Sequence, residues 1–439
     1  MKKQIDFTQG SISKQMLLFT IPIAMGELLQ NLYSSVDTLV VGNLVGDQAL
    51  AAVSVCIPLV DLIIGFFNGM SAGASVAISQ ALGERNTSRL YRTMSLSFSI
   101  AVVVGFIMSA ASVLCAPLLL DFVDVQPEIR GGAMTYLRIY LVGVMFTVIY
   151  NFGAGILRAV GDSGTPFAIL IMTCCLNTVL DILFVSAFHA GVAGVGAATI
   201  ISQGISAGVV YLIIKKRYPL FSLNIKWLLT DRKAVGTILG IGAPAGLQNS
   251  LIAFSNMFTW RYVNGFDSIA ISAGIGVAQR IDRFVALPGK AIGLTMGTFI
   301  GQNVGAGNEK RNKEGVFRGF ILAGGIVSVL GIGVYLFAPE FAGLFNENAE
   351  VKRIAANMIR TIVPLYMLLA SREVLLGTLR GYGETKIPMI LSIVGMVGVR
   401  QAFLAITMHC NPVVENIYWC YPVGWGANAL LLALYYYKK

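Results

Sequence analysis

The amino-acid sequence predicts an all-α polytopic membrane protein, with twelve transmembrane helices arranged as two pseudo-symmetric six-helix lobes. Three observations predict it. Of 439 residues, 56% are hydrophobic and only 12% are charged, against about 25% charged in ordinary soluble domains. Twelve apolar runs reach the roughly 20 residues that cross a bilayer as a helix. The second six runs repeat the first six at one constant offset of 222 residues.

The runs fall near residues 15–43, 49–80, 92–116, 131–157, 166–187 and 191–214, then near 235–262, 268–301, 315–338, 353–379, 387–409 and 412–437. Between the two sets, Lys215 to Lys233 is basic and holds Tyr218, Pro219, Asn224 and Asp231, which marks it as a linker. The expected organisation is an N-terminal lobe over 1–214, a cytoplasmic linker over 215–233 and a C-terminal lobe over 234–439. The opening MKKQIDFTQGSISKQ runs straight into a full-length span, so no cleavable signal peptide is expected.

Charge fixes the orientation. The net charge of +10 would suggest nucleic acid in a soluble protein. Here the basic residues, among them Arg85, Arg89, Arg92, Arg158, Lys215, Lys310, Arg311, Arg380 and Lys386, fall in every second gap between spans. The intervening gaps hold Asp47, Asp121, Glu128, Asp267, Glu340 and Glu415. By the positive-inside rule both termini are cytoplasmic, which demands an even number of spans. The six cysteines show no metal or disulfide spacing and read as small apolar packers.

The offset aligns Pro22 with Pro244, Gln80 with Gln302, Asn86 with Asn308, Arg138 with Arg360, Arg158 with Arg380, Gly161 with Gly383 and Pro166 with Pro388. Six spans per half send both halves into the membrane in the same sense. The repeat is therefore parallel, about an axis along the membrane normal, one of the two repeat geometries of secondary transporters.

Sequence punctuation places the turns. SQALGERNTSRLYR and GQNVGAGNEKRNKEG close the second and eighth runs, with Gly83 and Gly305 able to end each helix in the left-handed conformation. LRAVGDSGTP and LRGYGETKIP turn at Gly161 and Gly383, and Pro166 and Pro388 suit the first turn of the next helix. These elbows, their order, and GVAGVGAATIISQ at the sixth run resemble the multidrug and toxic compound extrusion (MATE) family over essentially the whole chain. That resemblance implies twelve spans in two parallel halves. It also implies a secondary antiporter of a bacterial cytoplasmic membrane, driven by inward Na⁺ or H⁺ and exporting small amphipathic, cationic compounds.

The chemistry gathers in the N-terminal half. On the first run Glu27, Gln30, Asn31, Ser34 and Asp37 recur at helical spacing and form one polar stripe. An acid there costs at least about 2.5 kcal/mol, so it marks an ion or substrate pathway. Asn177 and Asp181 share a face of the fifth run, and Thr199 stands on the sixth. Together with Asp37 they offer only oxygen ligands, which suit a hard cation. Two carboxylates set close together cannot both be charged cheaply, so the cluster equally suits a proton. In MATE transporters with an acidic N-terminal lobe the cation site resembles this set, and Asp37, Asn177, Asp181 and Thr199 occupy matching positions.

Other residues are path candidates. Glu27, about 15 Å from Asp37 along an ideal helix, either lines the cytoplasmic half of the path or pairs with a lysine at the interface. Asp61 and Asn68 on the second run either line the path or serve core hydrogen bonding. Pro22 and Gly26 form a hinge candidate, since proline removes one backbone hydrogen bond.

The second half does not copy the cluster, because Asp37 maps to Thr259, Asn177 to Val399, Asp181 to Phe403 and Thr199 to Tyr421. It carries Gln248 and Asn249, where some MATE branches have an acid, together with Arg261, Arg372, Glu373 and Arg400. Arg372 and Glu373 are chain neighbours, and because neighbours on a helix point different ways their adjacency does not by itself make them a pair. Inward arginines suggest an alternative, a flippase or exporter of an anionic or lipid-linked substrate.

A membrane-embedded enzyme is disfavoured, since the two histidines, His189 and His409, both fall in outer turns without acidic neighbours. No G-x-x-x-x-G-K-[ST] motif is present, so an ion gradient rather than ATP is the expected energy source. No cofactor or metal beyond Na⁺, no nucleic acid, and a monomer in the bilayer acting on a small-molecule substrate are expected.

Overall fold

The computed structural model describes residues 4–123 and 125–438, and the side chains of all of these except residues 33–36 and 38. Among them the chain is helical without strands. In the first half the helices are α1 (Ile12–Leu44), α2 (Asp47–Gly83), α3 (Thr87–Phe122), α4 (Pro127–Ala159), α5 (Gly164–Ile182) and α6 (Gly191–Arg217). The short α7 (Trp227–Thr230) lies in the linker. The second half has α8 (Arg232–Asn264), α9 (Ile269–Gly305), α10 (Glu309–Leu336), the short α11 (Ala338–Gly343), α12 (Ala349–Ile362), α13 (Tyr366–Gly381), α14 (Lys386–Ile393), α15 (Arg400–Cys410) and α16 (Glu415–Lys438).

Two spans are composite. A 3-10 turn, Val363–Leu365, joins α12 to α13 around Pro364, and a π turn, Val394–Val399, joins α14 to α15. Eleven stretches among the described residues are long and apolar enough to cross a membrane, and α16 follows as a twelfth long helix. Its tyrosines, tryptophans and Asn428 lower its hydropathy below the others.

The elbows correct one detail of the sequence reading. Gly83 and Gly305 are the last residues of α2 and α9, and the left-handed residues come two positions later, at Arg85 (φ 55°) and Gly307 (φ 67°). Helix propagation carries each chain one step past its glycine, and Asn86 and Asn308 then cap the next helix by accepting from the amides of Arg89 and Arg311. Gly161 and Gly383 behave as expected, with φ 86° and 83°. At Gly161 a Cβ would lie 2.1 Å from the Ile5 carbonyl oxygen, while the Ile5 amide donates to the Gly161 carbonyl. Only glycine meets both demands.

Contacts group the chain into two compact units, one of residues Met1–Asp6 with Met25–Gly246, the other of Phe7–Ala24 with Leu247–Lys439. The division falls inside α1 between Pro22 and Gly26, and inside α8 just after Pro244. These two places are equivalent in the repeat. Each unit consequently contains one equivalent helix crossing. In the first, Gly73 of α2 meets Gly242 of α8 so closely that a Cβ on Gly73 would lie 2.3 Å from the Gly242 Cα. In the second, Thr295 of α9 meets Thr20 of α1 through a hydroxyl–hydroxyl hydrogen bond of 2.8 Å.

The first unit is cored by α2, α3, α4 and α6, with Val53, Leu59, Leu96, Leu141 and Val148 buried among them. In the second, the peptide before α1 is fixed to α9 and α10. The Phe7 amide donates to Gln302, Asn303 and Arg311 donate to the Phe7 carbonyl, and the buried Phe7 ring packs edge-on against Phe19 and Phe299.

Candidate functional site

The four sequence-predicted oxygen ligands are all buried. Asp37 lies on the later part of α1, Asn177 and Asp181 one turn apart on α5, and Thr199 on α6. Asn177 and Asp181 are 0% exposed. Asp37 and Asp181 lie close enough to act on one another electrostatically, and among the described residues no donor reaches either Asp181 oxygen and no partner meets the Asn177 amide. Two carboxylates face one another as acceptors, and such a contact closes only around a proton or a cation. The Thr199 hydroxyl donates to the Val195 carbonyl at 3.0 Å.

Local backbone supports the arrangement. α5 gives way to a π turn, Leu183–Ala187, two residues after Asp181, a feature that often accompanies functional positions in helices. Among the described residues no group of three or more His, Cys, Asp or Glu stands together. Two acids with an amide oxygen beside them suit a singly charged ion better than a divalent one.

Two residues escaped the sequence reading. Tyr136 and Tyr140, one turn apart on α4 with ring centroids 5.9 Å apart, border the cluster. The charges of Asp37 and Asp181 act on the Tyr136 hydroxyl, and those of Asp37 and Asp61 on Tyr140. Their i, i+4 spacing on one face of the fourth run is the one signal that could have found them.

The remaining candidates divide. Glu27 is partly buried and its charge acts on Arg158 and Tyr150 of α4. Asn31 turns its amide back to the Glu27 carbonyl. Gln30, Asp61 and Asn68 are exposed, and Ser34 lies among the side chains outside the described set. Gly26 packs against Leu170 of α5, to which an added Cβ would come within 3.5 Å.

In the second unit Gln248 is buried and accepts from Arg380 at 2.8 Å, while Asn249 is half-buried. Arg372 and Glu373, whose pairing the sequence leaves open, form an ion pair. Both side chains are long enough to bend toward one another from neighbouring positions, and burial removes the water that would hold them apart. Asp282 accepts from the Tyr366 hydroxyl at 2.7 Å. Arg261 is exposed, and Arg400 is 1% exposed.

A family model described as MatE matches residues 22–183 and again residues 244–406, two stretches that begin at the equivalent prolines Pro22 and Pro244. The chain is similar to the probable multidrug resistance protein YpnP of Bacillus subtilis, 32% identical over 410 residues that cover 92% of this chain and 90% of that one. It is also similar to the multidrug export protein MepA of Staphylococcus aureus, 23% identical over 390 residues, or 88% and 85% of the two chains. One solved structure, described as the outward-facing conformation of a multidrug resistance MATE family transporter of the MOP superfamily, superposes with a TM-score of 0.91 at 23% identity. That match covers 99% of this chain and 97% of that one, and is a likeness of fold.

Proposed function

The chain belongs to the MatE family, a family of membrane transporters, and from that membership we propose that it exports small amphipathic drugs or toxins in exchange for inward Na⁺ or H⁺. By resemblance the cargo is cationic and the site of action is the cytoplasmic membrane, with both termini inside. The observation that carries the ion-coupled reading is the Asp181 carboxyl, fully buried beside Asp37 and without a donor among the described residues. A buried carboxylate in that state costs several kcal/mol, which a proton or cation relieves. Occupancy of the pair is thus linked to the packing of the helices that carry it.

Asp37 sits on the same helix as Pro22 and Gly26. Binding at Asp37, Asn177, Asp181 and Thr199 neutralises the pair and lets α1 repack near the proline, where one helical hydrogen bond is already missing. The division of α1 between Ala24 and Met25 supports a change of packing at that point. Coupling follows when ion and cargo favour different states, or compete for one lobe.

Proteoliposome efflux tests the proposal, with amphipathic fluorescent dyes of cationic and zwitterionic type and with Na⁺ and pH gradients imposed separately. Wild-type efflux should follow one gradient, and Asp37→Asn should abolish the dependence while remaining folded. Ion-driven efflux at the wild-type rate from Asp37→Asn would sink it.

A further inference from the structure

The second unit holds a buried positive charge for which it supplies no counter-ion. Arg400 opens α15 immediately after the π turn Val394–Val399 and heads the fully buried side chains by size. Its hydrogen bonds go to neutral oxygens, from Nη1 to Asn256 Oδ1 at 2.8 Å and from Nη2 to Ser255 Oγ at 2.6 Å. The guanidinium lies 5.8 Å from the Tyr421 ring centroid, and its Nε has no partner. Among the described residues no carboxylate lies within salt-bridge distance of it, and the charged side chain that acts on it is another cation, Arg372, already paired with Glu373. Arginine does not shed its proton under such conditions. A positive charge buried among neutral groups is costly, and an anion brought beside it lowers that cost.

A place for that anion adjoins it. A cleft of about 1080 Å³ opens between α8 and α15, large enough for a drug-sized molecule. Phe254, Phe258 and Tyr262 supply its apolar wall, Arg261 is exposed within it, and Ser255 and Gln401 form its polar wall. Gln401 donates to the Ser255 hydroxyl at 2.9 Å, the same oxygen that accepts from Arg400. The guanidinium therefore stands one hydrogen bond behind the polar wall. Its place in the repeat is informative too, since position 400 is equivalent to Thr178, next to Asn177. The same segment of the two halves carries an acidic cluster in one and an unpaired cation in the other.

We propose that this cleft binds the cargo and that the cargo carries a carboxylate: a small amphipathic anion or zwitterion, its acid on the Ser255–Gln401 wall before Arg400 and its apolar body on the aromatic wall. The inference rests on the export reading and alters one part of it, the charge of the exported compound.

Equilibrium binding to the purified full-length protein tests it, using pyrenebutyrate, pyrenebutanol and a pyrene-labelled quaternary ammonium followed by fluorescence. Pyrenebutyrate should bind at least tenfold tighter than the alcohol, and the ammonium weakest. Arg400→Gln should erase the preference for the carboxylate with alcohol binding unchanged, and Arg400→Lys should keep most of it. Where Arg400→Gln does not fold, Gln401→Leu carries the same expectation. Equal binding of carboxylate and alcohol by the wild type, or a preference that survives Arg400→Gln, overturns the proposal. So does Arg400-dependent binding of vesicles containing phosphatidylglycerol without binding of pyrenebutyrate, which would make the cleft a lipid site. Equilibrium binding needs no ion gradient, so a failure of ion-coupled efflux leaves this result intact.

Discussion

Tyr136 and Tyr140 stand beside the acids of the first unit on α4. Since both Asp37 and Asp181 act electrostatically on the Tyr136 hydroxyl, Tyr136→Phe removes one polar group from the cluster without changing its shape. The expected loss is about 1 kcal/mol, or roughly fivefold in the ion concentration that half-saturates efflux. An ion titration of the efflux rate reads it, and an unchanged midpoint would show that the hydroxyl takes no part. Part of this cluster is legible in the sequence. A carboxylate in an apolar run is energetically anomalous, so Asp37 and Asp181 stand out from their surroundings, and one helical turn brings Asn177 alongside. The tyrosines do not stand out, because tyrosine is an ordinary membrane residue and only the packing of α4 brings them to the acids. The Arg372–Glu373 pair is illegible for a different reason. Helical spacing describes where Cβ atoms point, and two long side chains in a dry interior can reverse that geometry.

The helix crossings carry a second kind of information. The repeat offset is visible from prolines, glycines and charges, but the offset cannot say which equivalent residues touch. The structure gives the Gly73–Gly242 contact in one unit and the Thr20–Thr295 hydrogen bond in the other, two solutions of one crossing. They predict unequal tolerance. Gly73→Val places branched carbon against the backbone of α8 where even a Cβ would lie 2.3 Å from an atom, and overpacking of that kind costs about 1–3 kcal/mol or more. Thr295→Ala only removes one hydrogen bond, worth about 1 kcal/mol. Thermal unfolding in detergent should therefore show Gly73→Val markedly destabilised and Thr295→Ala slightly so, and the reverse order would contradict the geometry. The elbows belong to the same lesson. Glycine and the following basic residues announce a turn, but helix propagation decides which residue takes the left-handed conformation, hence Arg85 and Gly307.

Across the whole chain, duplication supplied the architecture and divergence supplied the chemistry. The matched stretches 22–183 and 244–406 are equivalent in the repeat, yet the acids of the first have no counterpart in the second, where Arg400 stands one residue from the position equivalent to Asn177. Eleven candidate spans stand among the described residues, and the placement of basic residues gives an expected orientation that invites direct measurement. Lys310 is exposed at the start of α10, and Cys410 is exposed at the end of α15. Three candidate spans separate them, Glu309–Leu336, Ala349–Gly381 and Lys386–Cys410. An odd number of crossings puts the two positions on opposite faces, and the basic residues around Lys310 put that one inside. With the other cysteines replaced, a membrane-impermeant maleimide should label Cys410 in intact cells and Lys310→Cys only after permeabilisation. Labelling of both from the same side would break the count of spans between them. Labelling with the sides exchanged would keep the count and invert the molecule, moving the basic elbows to the outer face against the charge rule from which their placement follows.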